Sequence, residues 1–315
     1  MTTQTQRRWS AFHIFMHDSA KQDPFLQSWL TVKAKSLVAA KEAESWFFLR
    51  YWDGGPHLRI RFLNLKDEAG LLAEIQDAVS AYKADVALNA EDYYAGHSFD
   101  GEPVDIQSLE WHHDGDVKIY PYEPEYERYG GHEAIIVNED LFYASSQIAT
   151  AIINATMGKF EQRIQLSLKF IICSIFAVVP DNEALKMFAT HYADFWRGHA
   201  QGVDASIDSN AAAQLKQSIE VFKQETINGT ATGAIAMWIT LIKQSVERFR
   251  KVYLDGNLVS PVDGSKVTTE EQYQMTIMSM MGSQIHMLNN RLGVSTAYEF
   301  VLSSRIRDAL ISNEG

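Results

Sequence analysis

The first part of the chain contains segments in which hydrophobic positions recur at every second residue. Residues 57–62 show this alternation most clearly, because His57, Arg59 and Arg61 share one face of the predicted strand and the apolar residues between them share the other. One face can therefore enter a core, whereas the other is strongly basic.

The basic face lies beside a predicted tight turn. Glycine supplies positive φ and proline cannot continue a ladder, so Asp53-Gly54-Gly55-Pro56 predicts a hairpin between strands over 46–52 and 57–63. Similar patterns predict further strands over 9–17, near Tyr93 and Tyr94 and over 117–120, and helices over 24–43 and 66–82. This alternation of strands and helices is typical of a small α+β sheet domain.

From residue 138 onward the hydrophobic positions recur at helical spacing, and no strand is predicted. The predicted helices span residues 138–155, 159–178, 182–197, 211–224, 234–253, 268–292 and 295–311. Thr268 and Glu271 are spaced as a capping box at the start of the sixth helix. The sequence thus predicts an α+β fold, with a mixed α/β sheet region over 1–135 and a helical bundle over 136–315. The pattern leaves open whether these are two domains or one continuous core.

Composition narrows the class of protein. The 315 residues are 46% hydrophobic and 22% charged, which is typical of a globular chain long enough to bury a core. A net charge of -12 lacks the basic footprint of a general nucleic-acid binder, so no direct DNA partner is expected. Without an apolar signal segment or a run that spans a bilayer, we expect a cytoplasmic protein with no membrane partner. The single cysteine, Cys173, lies in an apolar run and is interpreted as a small buried hydrophobe.

The basic strand face requires an anionic partner. Arg59 and Arg61 stay protonated at any ordinary pH and repel each other when they share a face. The partner is either the carboxylate or phosphate of a ligand, or Asp and Glu side chains of the same protein.

A second dense motif, residues 122–133, predicts an irregular loop between the sheet and the bundle. Arg128 would be held there by Glu125 or Glu127, either to be presented to an anionic substrate group or simply to stabilise the junction.

The long helix over 268–292 carries the third motif. Gly282, His286, Asn289 and Asn290 fall on neighbouring turns, away from the apolar stripe. Because Gly282 would leave room beside His286, the imidazole is either an acid/base group in a cleft or a satisfied structural residue.

Several other kinds of site lack their sequence basis. The chain has no GxGxxG after a strand, no Walker A sequence, no GxSxG elbow and no HExxH. The segment from Trp111 to Asp116 contains two adjacent histidines, which in an extended chain point to opposite faces. We therefore interpret it as a solvated loop, and we expect no metal site.

Together the three motifs resemble the C-terminal elimination domain of lantibiotic dehydratases, also called the thiopeptide-type bacteriocin biosynthesis domain. The resemblance rests on residues 48–62, on residues 124–131 with Glu139 and Ser145-Ser146 after them, and on residues 286–292. It covers nearly the whole chain, with the motifs in the same order.

This resemblance implies a stand-alone elimination enzyme that acts on a ribosomally made precursor peptide. A separate glutamylation protein would esterify a Ser or Thr hydroxyl with glutamate from glutamyl-tRNA, and this protein would expel the glutamate to leave dehydroalanine or dehydrobutyrine. No cofactor and no metal ion is expected. The resemblance leaves open whether the protein forms a homodimer.

The resemblance also assigns roles to particular residues. The family's catalytic positions fall on Arg61, Glu125, Arg128 and His286. Their neighbours in the motifs are assigned to substrate binding: His57, Arg59, Tyr129 and Asn290. In this assignment the two catalytic arginines bind the glutamyl adduct, Glu125 binds its ammonium group or orients Arg128, and His286 transfers a proton.

Two alternatives remain beside elimination. The family also contains thiopeptide pyridine synthases, which join two dehydroalanines in a formal aza-[4+2] cycloaddition and then expel water and the leader peptide. Because the residues that recognise glutamate are all present, elimination is favoured. The second alternative is a precursor-peptide-binding scaffold without catalytic activity. No winged-helix leader-recognition domain is expected before Trp9, so leader contacts would lie elsewhere or on a partner protein.

Overall fold

The computed structural model describes residues 7–86, 88–95, 98–99, 102–103 and 110–311. It divides the chain into two compact units. Residues 1–123 with 153–157 form the first, here called the sheet unit, and residues 124–152 with 158–315 form the second, the helical unit. The predicted α+β class is confirmed. The predicted division into regions 1–135 and 136–315 stays a prediction.

The sheet unit is built around an antiparallel sheet. Its strands are β1 (Trp9–Phe15), β2 (Ser45–Tyr51), β3 (His57–Leu63), β4 (Ser98–Phe99), β5 (Glu102–Pro103) and β6 (Val117–Tyr120). Four of them form one sheet in the order β2-β3-β1-β6, and β4 pairs with β5 separately. The predicted hairpin is confirmed, since Tyr51 pairs with His57 across its turn. Leu58, Ile60 and Phe62 are fully buried, so the apolar face of β3 enters the core as predicted.

The helices of the sheet unit depart from prediction at two places. They are α1 (Ser19–Phe25), a π-helical turn (Leu26–Leu30), α2 (Thr31–Ala39), α3 (Glu68–Val79), a 3₁₀ turn (Ser80–Tyr82) and α4 (Ala90–Tyr94). The first helical run begins before Pro24, because the Asp18 side chain accepts a hydrogen bond from Ala20 N and caps the helix there. The strand predicted near Tyr93 and Tyr94 is wrong. Asn89 caps α4 instead by accepting from Asp92 N.

All seven helices predicted after the sheet are confirmed. They are α5 (Ala134–Ala155), α6 (Phe160–Val178), α7 (Asn182–Trp196), α8 (Ser209–Asn228), α9 (Gly233–Leu254), α10 (Glu270–Leu292) and α11 (Thr296–Ile311). The capping box of α10 lies one residue later than predicted, at Thr269 and Gln272. The prediction failed because Gln272, rather than Glu271, reaches back to the backbone N–H of Thr268 and Thr269.

A buried amide network fixes the loop over residues 124–133 within the helical unit. Asn138 is fully buried, and its Nδ2 donates to Tyr129 O at 3.0 Å and to Ala134 O at 2.9 Å. Gln284 of α10 donates to Asn138 Oδ1 at 2.8 Å. Gly130 adopts a φ of +83°, and a Cβ there would lie 2.9 Å from Met280 Sδ. The loop is thus held against α10, and its close approach requires glycine.

The structure bears on two expectations that came from composition, the burial of the cysteine and the lack of a membrane-spanning run. Cys173 is fully buried, as predicted, and burial raises the pKa of its thiol. Among the described residues, no helix is both long enough and apolar enough to cross a bilayer.

Candidate functional site

Arg59 projects from the basic face of β3 onto an aromatic ring. Its guanidinium carbon lies 3.4 Å from the centre of the Tyr51 ring, and its Nε donates to His57 Nε2 at 2.9 Å. Burial lowers the pKa of Arg59, while Tyr51 and Asp53 oppose that shift electrostatically. Among the described residues, no carboxylate forms an ion pair with this guanidinium. Its neighbours thus stack on the cation without neutralising it.

The histidines beside Arg59 are neutral. His57 is fully buried, donates from Nδ1 to Gly55 O at 2.8 Å and accepts at Nε2 from Arg59. Burial lowers the pKa of His57 to about 3 and, together with the charge of Arg59, that of His13 to about 2. The two imidazoles stack with ring centres 5.0 Å apart. His57 therefore orients Arg59 from below the surface and adds no charge of its own.

Arg61 lies beside two aromatic rings. Its guanidinium carbon is 4.7 Å from the centre of the Tyr122 ring and 5.2 Å from that of Phe47. Trp9 packs edge-on against both rings, at 5.6 Å and 4.9 Å. Rings attract a cation through their faces, so this setting helps to orient the Arg61 guanidinium.

Arg128, in the helical unit, is held by two polar contacts. Its Nη1 donates to Glu125 Oε2 at 3.3 Å and its Nε donates to Ser283 Oγ at 3.2 Å. Burial opposes the charge of Arg128, but Tyr129 and Glu125 outweigh it and raise its pKa. Of the two glutamates that the sequence left open, Glu125 is the partner within hydrogen-bond reach.

His286 is oriented by a buried carboxylate. Its Nδ1 lies 2.8 Å from Glu299 Oε1, and Glu299 is fully buried on α11. Tyr192 donates its hydroxyl to the other oxygen of Glu299. The ring centre of Trp196 lies 4.6 Å from that of His286. A carboxylate on one imidazole nitrogen and an aromatic wall beside the ring are features of histidines that transfer protons.

Two of the predicted catalytic residues converge on one helix. Ser283, which binds Arg128, precedes His286 by three residues, so both face the same side of α10. Tyr192, beside His286, also interacts electrostatically with Arg128. The helical unit therefore brings together Glu125, Arg128 and His286, whereas His57, Arg59 and Arg61 belong to the sheet unit.

Other residues of the third motif have mainly packing roles. Asn289 was predicted to lie beside His286, but it is fully buried and accepts from Ser167 Oγ at 2.7 Å, because its side chain turns toward α6. Arg291 is fully buried and donates to Ser146 Oγ at 3.0 Å. Asn290 is half-buried.

Tyr129 and Gly282 are both buried beside aromatic side chains. Tyr129 is only 3% exposed and packs edge-on against Phe142 at 5.1 Å. A Cβ at Gly282 would meet Phe188 at 3.6 Å and Tyr192 at 3.7 Å, so the space beside this glycine faces α7.

The segment from Trp111 to Asp116 is part of the sheet unit rather than a solvated loop. His112 is 6% exposed and its Nε2 lies 3.0 Å from the Tyr120 hydroxyl. Asp114 accepts from His17 N at 2.8 Å and from Ala84 N at 2.6 Å. These carboxylate oxygens are used to hold backbone segments together. Over the described residues, no cluster of three His, Cys, Asp or Glu side chains is arranged to hold a metal ion.

Sequence reasoning missed Ser283, Tyr192, Trp196 and Glu299. The available signal was Glu299 itself, an acidic residue followed directly by the apolar run Phe300-Val301-Leu302. Acidic side chains are rarely buried without partners, so a glutamate at a helix position that packs inward indicates a polar partner on another element.

Comparisons with known proteins agree with this architecture. TsrL is 14% identical, with 96% of this chain and 94% of that chain covered and a TM-score of 0.66. The pyridine synthase TbtD from thiomuracin biosynthesis is 15% identical, with 97% and 98% covered and a TM-score of 0.65. At such identities the likeness shows a shared fold.

A larger protein contains the same fold as one of its parts. The tRNA-dependent lantibiotic dehydratase MibB from Microbispora sp. 107891 is 18% identical and has a TM-score of 0.57. The match covers 97% of this chain and 28% of the MibB chain. No curated protein sequence matches the chain. The sequence profile of the family described as Lantibiotic biosynthesis dehydratase C-term matches residues 9–310, and the chain therefore belongs to that family.

Proposed function

We propose that the protein is a lyase that expels glutamate from glutamylated Ser or Thr residues of a ribosomally made precursor peptide. One observation carries this proposal. The guanidinium of Arg128 is bonded to Ser283, one helical turn before His286, so a carboxylate-binding cation and an oriented imidazole lie together.

The reaction is a β-elimination. The Cα–H bond breaks and the proton passes to a base, the electron pair forms the Cα=Cβ double bond, and the Cβ–O bond breaks to release glutamate as a carboxylate. The protein must supply a proton acceptor, stabilise the charge that develops on the adjacent carbonyl and bind the departing carboxylate.

The candidate residues match these three tasks. In the proposal His286 transfers the proton and Arg128 binds the glutamyl adduct through paired guanidinium donors. Arg61 is the candidate on β3 for the same kind of carboxylate contact. Glu125 orients Arg128 or binds the ammonium group of the adduct.

The remaining residues support the binding of substrate. Arg59 contributes a second cation on β3 with His57 behind it, and Tyr129 and Asn290 flank Arg128 and His286 along the chain. In the proposal a separate glutamylation protein supplies the glutamylated precursor peptide.

Mass spectrometry of a synthetic glutamyl-Ser peptide incubated with the pure protein tests the proposal. We expect free glutamate together with a peptide that contains dehydroalanine. An adduct that stays intact at high protein concentration would contradict elimination. The matched control is the same peptide with unmodified Ser, which has no carboxylate leaving group and should not react.

A pyridine synthase is the second candidate function. It is favoured by the extent of the likeness to TbtD, which covers almost the full length of both chains. Incubation of a peptide containing two dehydroalanines distinguishes the two. A cyclised product with release of a leader segment, alongside an intact glutamyl adduct, would support the synthase. Binding of both peptides without turnover would instead support a scaffold.

A further inference from the structure

The orientation of His286 depends on a side chain from another helix. Glu299 projects from the first turns of α11 and contacts His286 Nδ1 at 2.8 Å. The carboxylate is fully buried, whereas the His286 side chain is 17% exposed. A buried carboxylate must be satisfied by protein donors, so its position is determined by the groups that donate to it.

Tyr192 of α7 is the second donor to this carboxylate. Burial raises the pKa of Tyr192 well above its ordinary value, and the neighbouring Glu299 raises it further. The phenol therefore keeps its proton and donates a hydrogen bond to Glu299. One turn along α7, Trp196 packs beside the His286 ring at 4.6 Å. Two side chains of α7 thus hold the carboxylate and the imidazole in place.

This arrangement favours one form of the imidazole. A carboxylate can only accept hydrogen bonds, so His286 must donate from Nδ1 to Glu299. A neutral imidazole carries one N–H, and with that proton on Nδ1 the lone pair is left on Nε2.

We propose that Glu299, held by Tyr192, is a positioning residue that sets the tautomer of His286 and leaves Nε2 to exchange the substrate proton. The catalytic part rests on the proposed function. The tautomer is a property of the free protein and is measurable without substrate.

The variant Glu299→Gln tests the tautomer because its amide has one acceptor and one donor. We expect the Tyr192 hydroxyl to keep donating, so that the amide oxygen faces it and the NH₂ group faces His286 Nδ1. An NH₂ group there requires an unprotonated Nδ1, and the proton then moves to Nε2. In a catalytic triad the same kind of change lowers kcat by about 10⁴ through the wrong tautomer.

Nitrogen NMR of protein labelled with ¹⁵N-histidine gives the direct readout. The chain has 10 histidines, and the signals of His286 are those missing from the His286→Gln variant. We expect the Nδ1–H form in the native protein and the Nε2–H form in Glu299→Gln. If both proteins show the same tautomer, Glu299 does not position the imidazole and the proposal is overturned.

Kinetics with the glutamyl-Ser peptide provide the second readout. Glu299→Gln should lower kcat at least about 100-fold with little change in KM, and Tyr192→Phe, which removes one hydrogen bond to a charged group, should lower it about tenfold. The matched control is Glu225→Gln, whose carboxylate binds Lys169 and lies outside this group. It should leave kcat unchanged.

The two readouts separate failure of this proposal from failure of the proposed function. If native protein does not release glutamate but Glu299→Gln still inverts the tautomer, the positioning role stands and the elimination reaction falls. If glutamate is released at native rates by Glu299→Gln, the positioning role falls. Should Glu299→Gln not fold, Tyr192→Phe decides through kcat. Its carboxylate still accepts from Nδ1, so the tautomer should stay the same, but a native kcat would overturn the proposal.

Discussion

The basic face of β3 in the sheet unit and the residues around Arg128 and His286 in the helical unit hold their polar side chains by different means. On β3, Arg59 stacks on Tyr51 and bonds to a neutral histidine, and no described carboxylate pairs with it. In the helical unit the reverse holds, since Arg128 pairs with Glu125 and His286 with Glu299.

This difference indicates different tasks. A cation held by rings keeps its charge and its in-plane donors available, which suits the binding of an external carboxylate. An imidazole held by a buried carboxylate has a fixed orientation, which suits proton transfer. In the proposal the β3 arginines serve substrate binding and His286 serves proton transfer, and each of the following variants tests one side of this comparison.

The largest effect is expected from removal of the imidazole. His286→Ala should lower kcat for glutamate release by about 10² to 10⁴, the usual contribution of general acid–base catalysis. Tm should also fall, because the buried Glu299 loses one of its two donors, but the protein should stay folded. Quantification of free glutamate and thermal unfolding are the measurements. His191→Ala, an exposed histidine of α7, serves as the control. Loss of folded helicity in His286→Ala would instead make the residue structural.

A smaller effect is expected on the binding side. Arg61→Lys keeps the charge but loses the planar donor pair and the contact with Phe47 and Tyr122. It should lower kcat/KM about 10-fold to 100-fold, mainly through KM, since a hydrogen bond to a charged group contributes about 1.5 to 3 kcal/mol. Steady-state kinetics check this, with Arg8→Lys as the control near the start of β1. A loss confined to kcat would contradict a binding role.

The smallest effect concerns the neutral histidines of the sheet unit. The pKa of His13 is lowered to about 2 and that of His57 to about 3, both below the unfolded value of 6.5. The unfolded chain therefore binds more protons as pH falls below 6.5, and the folded state loses stability. Each group contributes a slope of up to about 1.4 kcal/mol per pH unit.

Urea denaturation between pH 6.5 and 5 measures this slope while most carboxylates stay ionised. His13→Gln removes one of the two groups, so its free energy of unfolding should depend less steeply on pH than that of the native protein. Equal slopes would mean that His13 accepts a proton in the folded state, and the basic face would then carry a further charge at low pH.

The local pattern predicted most of the secondary structure. Each helix of α5–α11 has a hydrophobic stripe of its own, and a stripe of helical period requires no knowledge of what it packs against. The misassigned strand near Tyr93 shows the limit of that reasoning, since aromatic residues favour strands but the cap at Asn89 initiates a helix.

Spacing and turn chemistry within a few residues were enough to predict the α+β class, the hairpin beside the basic face and the residues on that face. The partners that lie far away in the sequence depended on how the chain packs. Arg128 bonds to a serine 155 positions away, and Tyr192 meets Glu299 from 107 positions away. Such contacts depend on how helices pack, and burial by that packing also makes His13 and His57 neutral.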